Sequence, residues 1–295
     1  FADALAGRFG SVEMHETRAP GDAARMAREL AIAGHDVVAA AGGDGTISEV
    51  ADGLLTFAAH PAPAPALAVM PAGTGNDFAR CFGVPHDAES CVRAILDSPP
   101  RRIDAGRVTF VDDAGRLASR HFVSVASLGV SGKIDRVVNA ATSKRRGRLS
   151  GKALFFFHTL RELLRYRFRD VSIRVDGGEP VAARIVLVAV ANNPAFGGGM
   201  VIAPDARPDD GLLDIVIVRG MSRLSMMRDL RLIYSAGHRA LPSCTFLSGR
   251  SVTVAPADGS GDAATLLDID GESPGRIPAT FDMLEGALTL RGSTG

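Results

Sequence analysis

The sequence predicts an α/β domain followed by a β-rich, sandwich-like domain. Three observations carry this. Two glycine-rich loops, Ala41-Gly42-Gly43-Asp44-Gly45-Thr46 and Pro71-Ala72-Gly73-Thr74-Gly75-Asn76-Asp77, each stand between an apolar run and a segment of helical spacing. Near Ile103 the texture changes to short apolar runs separated by turn residues. Hydrophobic residues make up 46% of the 295 positions, enough for more than one sizeable core.

In chain order, Val12 to Thr17 reads as a short strand. Gly21 to Ala33 reads as a helix with Ala23, Met26, Ala27, Leu30 and Ala31 on one face. Strands at Val37–Ala41 and Leu67–Met70 feed the glycine loops, and helices at Ile47–Leu55 and Phe78–Phe82 leave them. The stretch His60-Pro61-Ala62-Pro63-Ala64-Pro65 between the units is a stiff connector. Such alternation implies a mostly parallel, Rossmann-like sheet. Strands at Arg107–Val111 and His121–Ala126 flank the turn Asp112-Asp113-Ala114-Gly115. Further strands follow at Val171–Val175, Ala183–Ala191, Leu213–Val218, Ser251–Ala255 and Leu288–Leu290, with helical segments at about 150–167 and 222–237. The domains are placed at 1–105 and 106–295, with the last strand free to return to the first domain and the active site in the cleft between them.

Lys+Arg 33 and Asp+Glu 33 cancel, so no global field favours nucleic acid. Cys81, Cys91 and Cys244 are odd in number and form no Cys-x-x-Cys pair. That argues against a disulfide framework or thiolate zinc site and for a reducing, cytoplasmic setting. The seven histidines have no metal-ligand spacing. No apolar run reaches the roughly 18 residues of a spanning helix, and no signal-peptide pattern opens the chain. Position 1 is not methionine, so the sequence reads as trimmed.

The loops carry the chemistry. Strand, glycine turn and helix present backbone N–H groups to phosphate. Glycine permits the close approach and φ > 0. Asp44 and Asp77 add a carboxylate to each loop, which suits a magnesium-bound phosphate. No Gly-Lys-Ser/Thr element is present, so backbone and metal must neutralise the phosphate charge. The competing explanation, two tight turns in an ordinary sheet, does not account for both carboxylates. Taken alone, these residues point to a nucleotide-using phosphotransferase.

Four motifs then stand in order: Gly42-Gly43-Asp44-Gly45-Thr46; Gly73-Thr74-Gly75-Asn76-Asp77-Phe78-Ala79-Arg80; Phe196-Gly197-Gly198-Gly199-Met200 running on to Pro204 through Asp214; and Asp268-Ile269-Asp270-Gly271-Glu272. Together they resemble the diacylglycerol kinase catalytic family, in its soluble bacterial lipid kinases, with sphingosine and ceramide kinases as relatives. The resemblance implies an ATP- and magnesium-dependent kinase that phosphorylates a lipid hydroxyl such as that of diacylglycerol. It assigns the ATP phosphates to Gly42, Gly43, Asp44, Gly45, Thr46, Ile47 and Ser48, with Gly73, Thr74 and Asn76 on the other side and Thr17 nearby. It assigns a water-linked catalytic magnesium network to Asp44, Asp77 and Asp104. A structural magnesium falls to the Asp210 side chain and the backbone oxygens of Arg207 and Leu212, where the residues alone read as a β-turn before a strand. Asp270 is assigned as general base, with Asp268 and Glu272 as its neighbours. One departure stands out: the family's initial strand and Asn-Pro-x-x-Gly turn have no counterpart here, so the first domain reads as lacking its usual first strand.

An enzyme acting on a lipid must visit the bilayer. Lys144-Arg145-Arg146-Gly147-Arg148 and Lys152 form a basic cluster ahead of Leu154, Phe155, Phe156, Phe157, Leu160, Leu163 and Leu164, among which Arg161, Arg165, Arg167 and Arg169 are interspersed. The basic loop is expected to contact anionic membrane peripherally; the apolar helix is expected to pack on the second domain. Asn192 and Asn193 with Gly197 to Gly199 fit a substrate cleft or a plain loop equally. Met221, Met226 and Met227 read as core or interface packing, and a homodimer is left open. Two rival functions share the fold: a nucleotide kinase of the NAD kinase type, and a non-catalytic lipid-binding regulatory protein. Diacylglycerol, phosphatidylglycerol, a sphingoid base and ceramide all meet the demands on the acceptor, and the sequence does not choose between them.

Overall fold

The computed structural model describes residues 2–293 except 59, 61–62, 145–160 and 258–264. The first third holds α1 (Ala2–Phe9), α2 (Asp22–Ile32), β1 (Val37–Gly42), α3 (Asp44–Phe57), β2 (Ala66–Pro71), α4 (Asp77–Cys81) and α5 (Ala88–Asp97). β1 and β2 run parallel from Val37↔Ala66 to Gly42↔Pro71, so both glycine loops leave the same end of the sheet. α2 and α3 pack so closely that a Cβ on Gly53 would lie 2.2 Å from the Ala24 carbonyl oxygen.

The rest is mainly strands: β3 (Arg101–Asp112), β4 (Leu117–Phe122), β5 (Val125–Gly129), β6 (Arg169–Val175), β7 (Val181–Ala191), β8 (Leu213–Arg219), β9 (Cys244–Gly249), β10 (Ser251–Pro256), β11 (Leu267–Ile269) and β12 (Gly275–Arg291). α6 (Val130–Lys144) follows β5; α7 (Arg223–Asp229) and two 3-10 turns, Leu230–Ser235 and Gly237–Ala240, follow β8. The strand order is β1-β2-β12-β10-β6-β7-β5-β11, with β3 and β4 branching from β12, and β8 and β9 from β7.

β12 joins the two halves. Its end pairs parallel with β2 through Leu290↔Leu67, and along its length it runs antiparallel to β3. Leu288 and Leu290 belong to the core around Ile47, Leu54, Leu67 and Phe78. Ile277, Ala279 and Phe281 belong to the core around Leu128, Val188, Ile215 and Val252.

Several expectations are corrected. Val12 to Thr17 forms no strand: residues 11–18 are exposed and unpaired, Met14 at 90%. Apolar–polar alternation needs a partner strand, and β1 pairs only with β2 among the described residues. The expected strand His121–Ala126 is interrupted at Val123 and Ser124, whose N–H groups turn to a carboxylate instead of a ladder. Leu288–Leu290 is the tail of the 17-residue β12. The helix expected at 222–237 is one short α-helix followed by 3-10 turns. The stretch 145–160 lies outside the described residues, and with it the expected basic membrane loop and most of the adjoining apolar segment.

Candidate active site

The two glycine loops pack against each other. A Cβ on Gly73 would lie 2.5 Å from the Gly43 Cα, so Gly73 has no room for a side chain, and one on Gly43 would lie a tight 3.3 Å from the Gly73 Cα. Ala72 N–H donates to the Gly42 carbonyl (2.8 Å), and Gly73 N–H donates to the Asn76 side-chain oxygen (3.1 Å). Asn76 takes φ 55°, the left-handed conformation that short polar side chains tolerate. α3 begins at Asp44, and the Thr46 side chain sits against Gly42, where a Cβ would be 2.6 Å from the Thr46 hydroxyl. The amide-rich start of α3 thus faces the second loop, an arrangement suited to anions.

Asp44 and Asp77 both close on Gly75. Asp44 Oδ1 accepts from Phe78 N–H (3.1 Å) at the start of α4, and its Oδ2 would lie 2.7 Å from a Cβ on Gly75. Asp77 is buried; it accepts from Gly198 N–H (2.6 Å) and is ion-paired with Arg80. Arg80 also donates to the Gly75 carbonyl (2.6 Å). Asp77 thereby ties the loop 196–200 of the β-rich half to the second glycine loop.

Asp104 lies elsewhere. It sits in the interior of β3 rather than at its start, 2% exposed. Its carboxylate accepts from Gly211 N–H (2.8 Å) and Gly286 N–H (2.6 Å), and its own N–H donates to the Pro208 carbonyl (2.8 Å). Asp104 therefore shapes the turn Arg207 to Leu212. In that turn Asp210 Oδ1 accepts from Leu212 N–H (3.0 Å). The donor chemistry there fits a hard cation: exposed carboxylate and backbone oxygens, with Asp214 beside them pushed up to about 6 by burial and by the charges of Asp210 and Asp205. Among the described residues no three His, Cys, Asp or Glu side chains converge as direct metal ligands.

Asp270 sits in a cradle of four donors. Oδ1 accepts from Ser124 N–H (3.1 Å) and Val125 N–H (3.0 Å); Oδ2 accepts from Val123 N–H (3.0 Å) and the Ser48 hydroxyl (2.8 Å). Burial pushes its carboxyl up, and the donors pull it back. The Ser48 bond crosses from α3 to the turn after β11, so Asp270 touches both halves of the molecule. Asp270 is itself at φ 48°, and Gly271 follows at φ 90°.

A cavity of about 1440 Å³ joins these parts. One end is formed by Gly43–Gly45, Gly73–Gly75, Asp77, Gly198 and Asp270. The remainder is apolar, with Ile134, Leu163, Val186, Met226, Leu230 and Ile233 in its walls. A polar cluster that sequence reasoning missed interrupts the apolar wall. Asp135 and Asp268 are hydrogen-bonded to each other; Asp268 also accepts from Ser127 Oγ (2.9 Å) and Gly271 N–H (2.8 Å), and Ser127 meets Ser131 (2.7 Å). Burial, then the neighbouring Asp268 charge, drives the Asp135 carboxyl far above the usual range, so the pair shares a proton. Asp135 lies in a helix with nothing local to mark it.

Of the remaining expected site residues, Ile47 is a wholly buried residue of α3 whose N–H donates to the Gly43 carbonyl (3.1 Å), and Thr74 lines the cavity. Thr17 lies in the exposed unpaired stretch. Asn192 is buried and donates to the Asp104 and Val123 carbonyls (3.0 and 3.1 Å), a structural brace rather than a cleft wall.

Two family models match the chain: the diacylglycerol kinase catalytic domain over residues 1–108 and the YegS C-terminal NAD kinase beta sandwich-like domain over residues 124–292. A probable lipid kinase YegS-like protein of Chromohalobacter salexigens is 35% identical over 71% of this chain, which spans 62% of that protein's length. A diacylglycerol kinase of Mycobacterium tuberculosis is 32% identical over 79% of this chain and 71% of its own. The crystal structure of a diacylglycerol kinase from Bacillus anthracis superposes with TM-score 0.68 at 23% identity, over 97% of this chain and 87% of that one, which shows a shared fold.

Proposed function

We infer the activity from the family to which the chain belongs, that of the bacterial diacylglycerol and YegS-like lipid kinases. We propose that it transfers the γ-phosphate of ATP to the hydroxyl of a lipid such as diacylglycerol. One observation carries the lipid half of this reading. The apolar cavity is far larger than a nucleotide base needs, and it ends at the glycine loops and Asp270.

The stretch Gly42 to Ser48 and residues Gly73, Thr74 and Asn76 would hold the phosphates through backbone N–H groups and the start of α3. A magnesium ion bound with the nucleotide would supply charge neutralisation, and Asp44 would help to hold it. Asp77 is occupied in clamping the two halves together. Asp210, Arg207 and Leu212 would hold a second, structural magnesium.

Asp270 would take the proton of the acceptor alcohol. Its four lone-pair sites are all engaged, and three of the donors are backbone groups that cannot turn away. Only the Ser48 hydroxyl can rotate. The alcohol therefore takes the place of Ser48 on Oδ2 and passes its proton there as the new O–P bond forms and the bond from the γ-phosphorus to the departing ADP breaks. The apolar walls keep bulk water from competing for the phosphoryl group. The reading is tested by transfer of labelled phosphate from ATP across a lipid panel in mixed micelles. Labelled phosphatidic acid or a related phospholipid is expected; ATP turnover with NAD, or with no lipid, would overturn it.

A further inference from the structure

The segment from Met221 to Leu241 has two apolar faces. Its inner face, with Met221, Met226, Leu230, Ile233 and Leu241, lines the cavity. Its outer face leaves Leu224 80% exposed and Met227 43%, while Tyr234, 50% exposed, also borders the cavity. A short surface helix stabilised by packing normally shows one apolar face and one polar face. Large apolar side chains exposed together on one short element mark a contact surface.

Charge identifies the contact. The segment holds Arg223, Arg228, Arg231 and Arg239 against one carboxylate, Asp229, in a chain whose charges cancel overall. Arg228 is ion-paired with Asp229, and Arg239 with Asp205 of a neighbouring loop. Arg223 and Arg231 are exposed and, among the described residues, in no ion pair. Arginines beside a protruding leucine and methionine fit an anionic bilayer surface, with the apolar tips in the acyl boundary and the guanidinium groups at the headgroups.

We propose that the outer face of residues 223–234 docks on anionic bilayer, and that this same segment is the wall past which the lipid enters the cavity. The second clause rests on the lipid kinase reading; the first does not. Because Met226 and Leu230 lie behind the exposed Leu224 and Met227, a bilayer seated on the outside is separated from the cavity by one layer of side chains. A small outward shift of this short helix and its 3-10 turns would join the two apolar phases without carrying the acyl chains through water.

The test uses co-sedimentation with vesicles of phosphatidylcholine, with and without phosphatidylglycerol, alongside phosphorylation of a short-chain, water-dispersed diacylglycerol. Two variants are compared: Leu224→Ser with Met227→Ser, and Arg223→Gln with Arg231→Gln. The first is expected to weaken vesicle binding about tenfold or more. The second is expected to weaken it about five-fold per arginine, only on vesicles with phosphatidylglycerol and less as salt rises. Both should keep turnover of the short-chain lipid, because none of the four residues lines the cavity. Unchanged sedimentation of both variants overturns the docking surface. Reduced binding with normal turnover of long-chain lipid in vesicles overturns the entry route alone. Absence of short-chain turnover in the unaltered protein would overturn the lipid kinase reading and leave the sedimentation result standing.

Discussion

Replacing Asp270 by Asn separates the chemical role of this carboxylate from its structural one. Asn keeps the shape but turns one acceptor oxygen into a donor. If the new NH₂ takes the Oδ2 position, Ser48 can reverse and accept, but Val123 N–H is left facing a donor. An orphaned buried N–H costs about 1–3 kcal/mol. The bonds from Ser124 and Val125 lose their charge assistance, roughly 1 kcal/mol each. Relief of a buried charge offsets part of this. The net loss is about 2–4 kcal/mol, which for a chain of this size lowers Tm by roughly 3–7 °C. The opposite placement of the amide orphans two N–H groups and is worse. Turnover should fall by about a hundred- to ten-thousand-fold with loss of the base. ATP affinity, if set by the glycine loops as proposed, should stay within a few-fold. The assays are thermal unfolding, lipid phosphorylation and nucleotide calorimetry on one preparation. An unchanged Tm would refute the four-donor cradle. Near-normal turnover would refute Asp270 as the base and direct attention to the Asp135–Asp268 pair.

Four further outcomes are expected. Ser48→Ala should cost about 1.5–3 kcal/mol of stability, the value of a bond to a charged acceptor, yet hold turnover within about tenfold because the alcohol displaces Ser48; a collapse of turnover comparable to that of Asp270→Asn would make Ser48 an obligatory proton relay. Gly73→Ala should abolish stabilisation by ATP in a thermal-shift assay, since its Cβ collides with the Gly43 backbone; a normal ATP shift would separate the loops from the nucleotide. Asp135→Asn should stabilise the protein at pH 8: a carboxyl whose folded pKa is raised keeps a proton that the unfolded chain releases above about pH 4, so wild-type stability falls as pH rises through that window, whereas the amide does not titrate. The gain, about 1 kcal/mol or more, should vanish near pH 4, and urea midpoints that do not depend on pH in the same way would contradict it. Chelation of magnesium should stop lipid phosphorylation, and full activity in excess chelator would remove Asp44 from any metal role.

What was readable in the sequence follows from how local each constraint is. The glycine loops were legible because close backbone approach admits only glycine, and that demand is written at the position itself. The hairpin at Asp112–Gly115 and the strands at 171–175 and 183–191 were legible for a similar reason, since turn chemistry and apolar runs are local. β12 was not, because its apolar residues are spread over two cores and its register shifts at Arg276 and Leu284 break the alternation. Asp104 carries no sign of its partners, Gly211 and Gly286, which lie far along the chain. The same holds for the cradle of Asp270: Ser48 is 222 positions away, and nothing near either residue announces the bond. Met221 and Met226 were read as packing residues and do pack with Val130, Ile134, Leu163 and Val186, in a small core that also walls the cavity, whereas Met227 is exposed.

The course of β12 bears on how the chain is made. The third strand of the first sheet is supplied by residues 288–291, which leave the ribosome after some two hundred intervening positions. At about 5–20 residues per second, β2 waits roughly 10–40 s with its free edge unpaired. The α/β half therefore cannot finish folding while it is being synthesised, and its completion coincides with that of the β-rich half. During that interval the apolar edge of β2 is open to any passing strand, so a chaperone that shields residues 66–71 would raise the yield of native protein more than one that shields the sandwich.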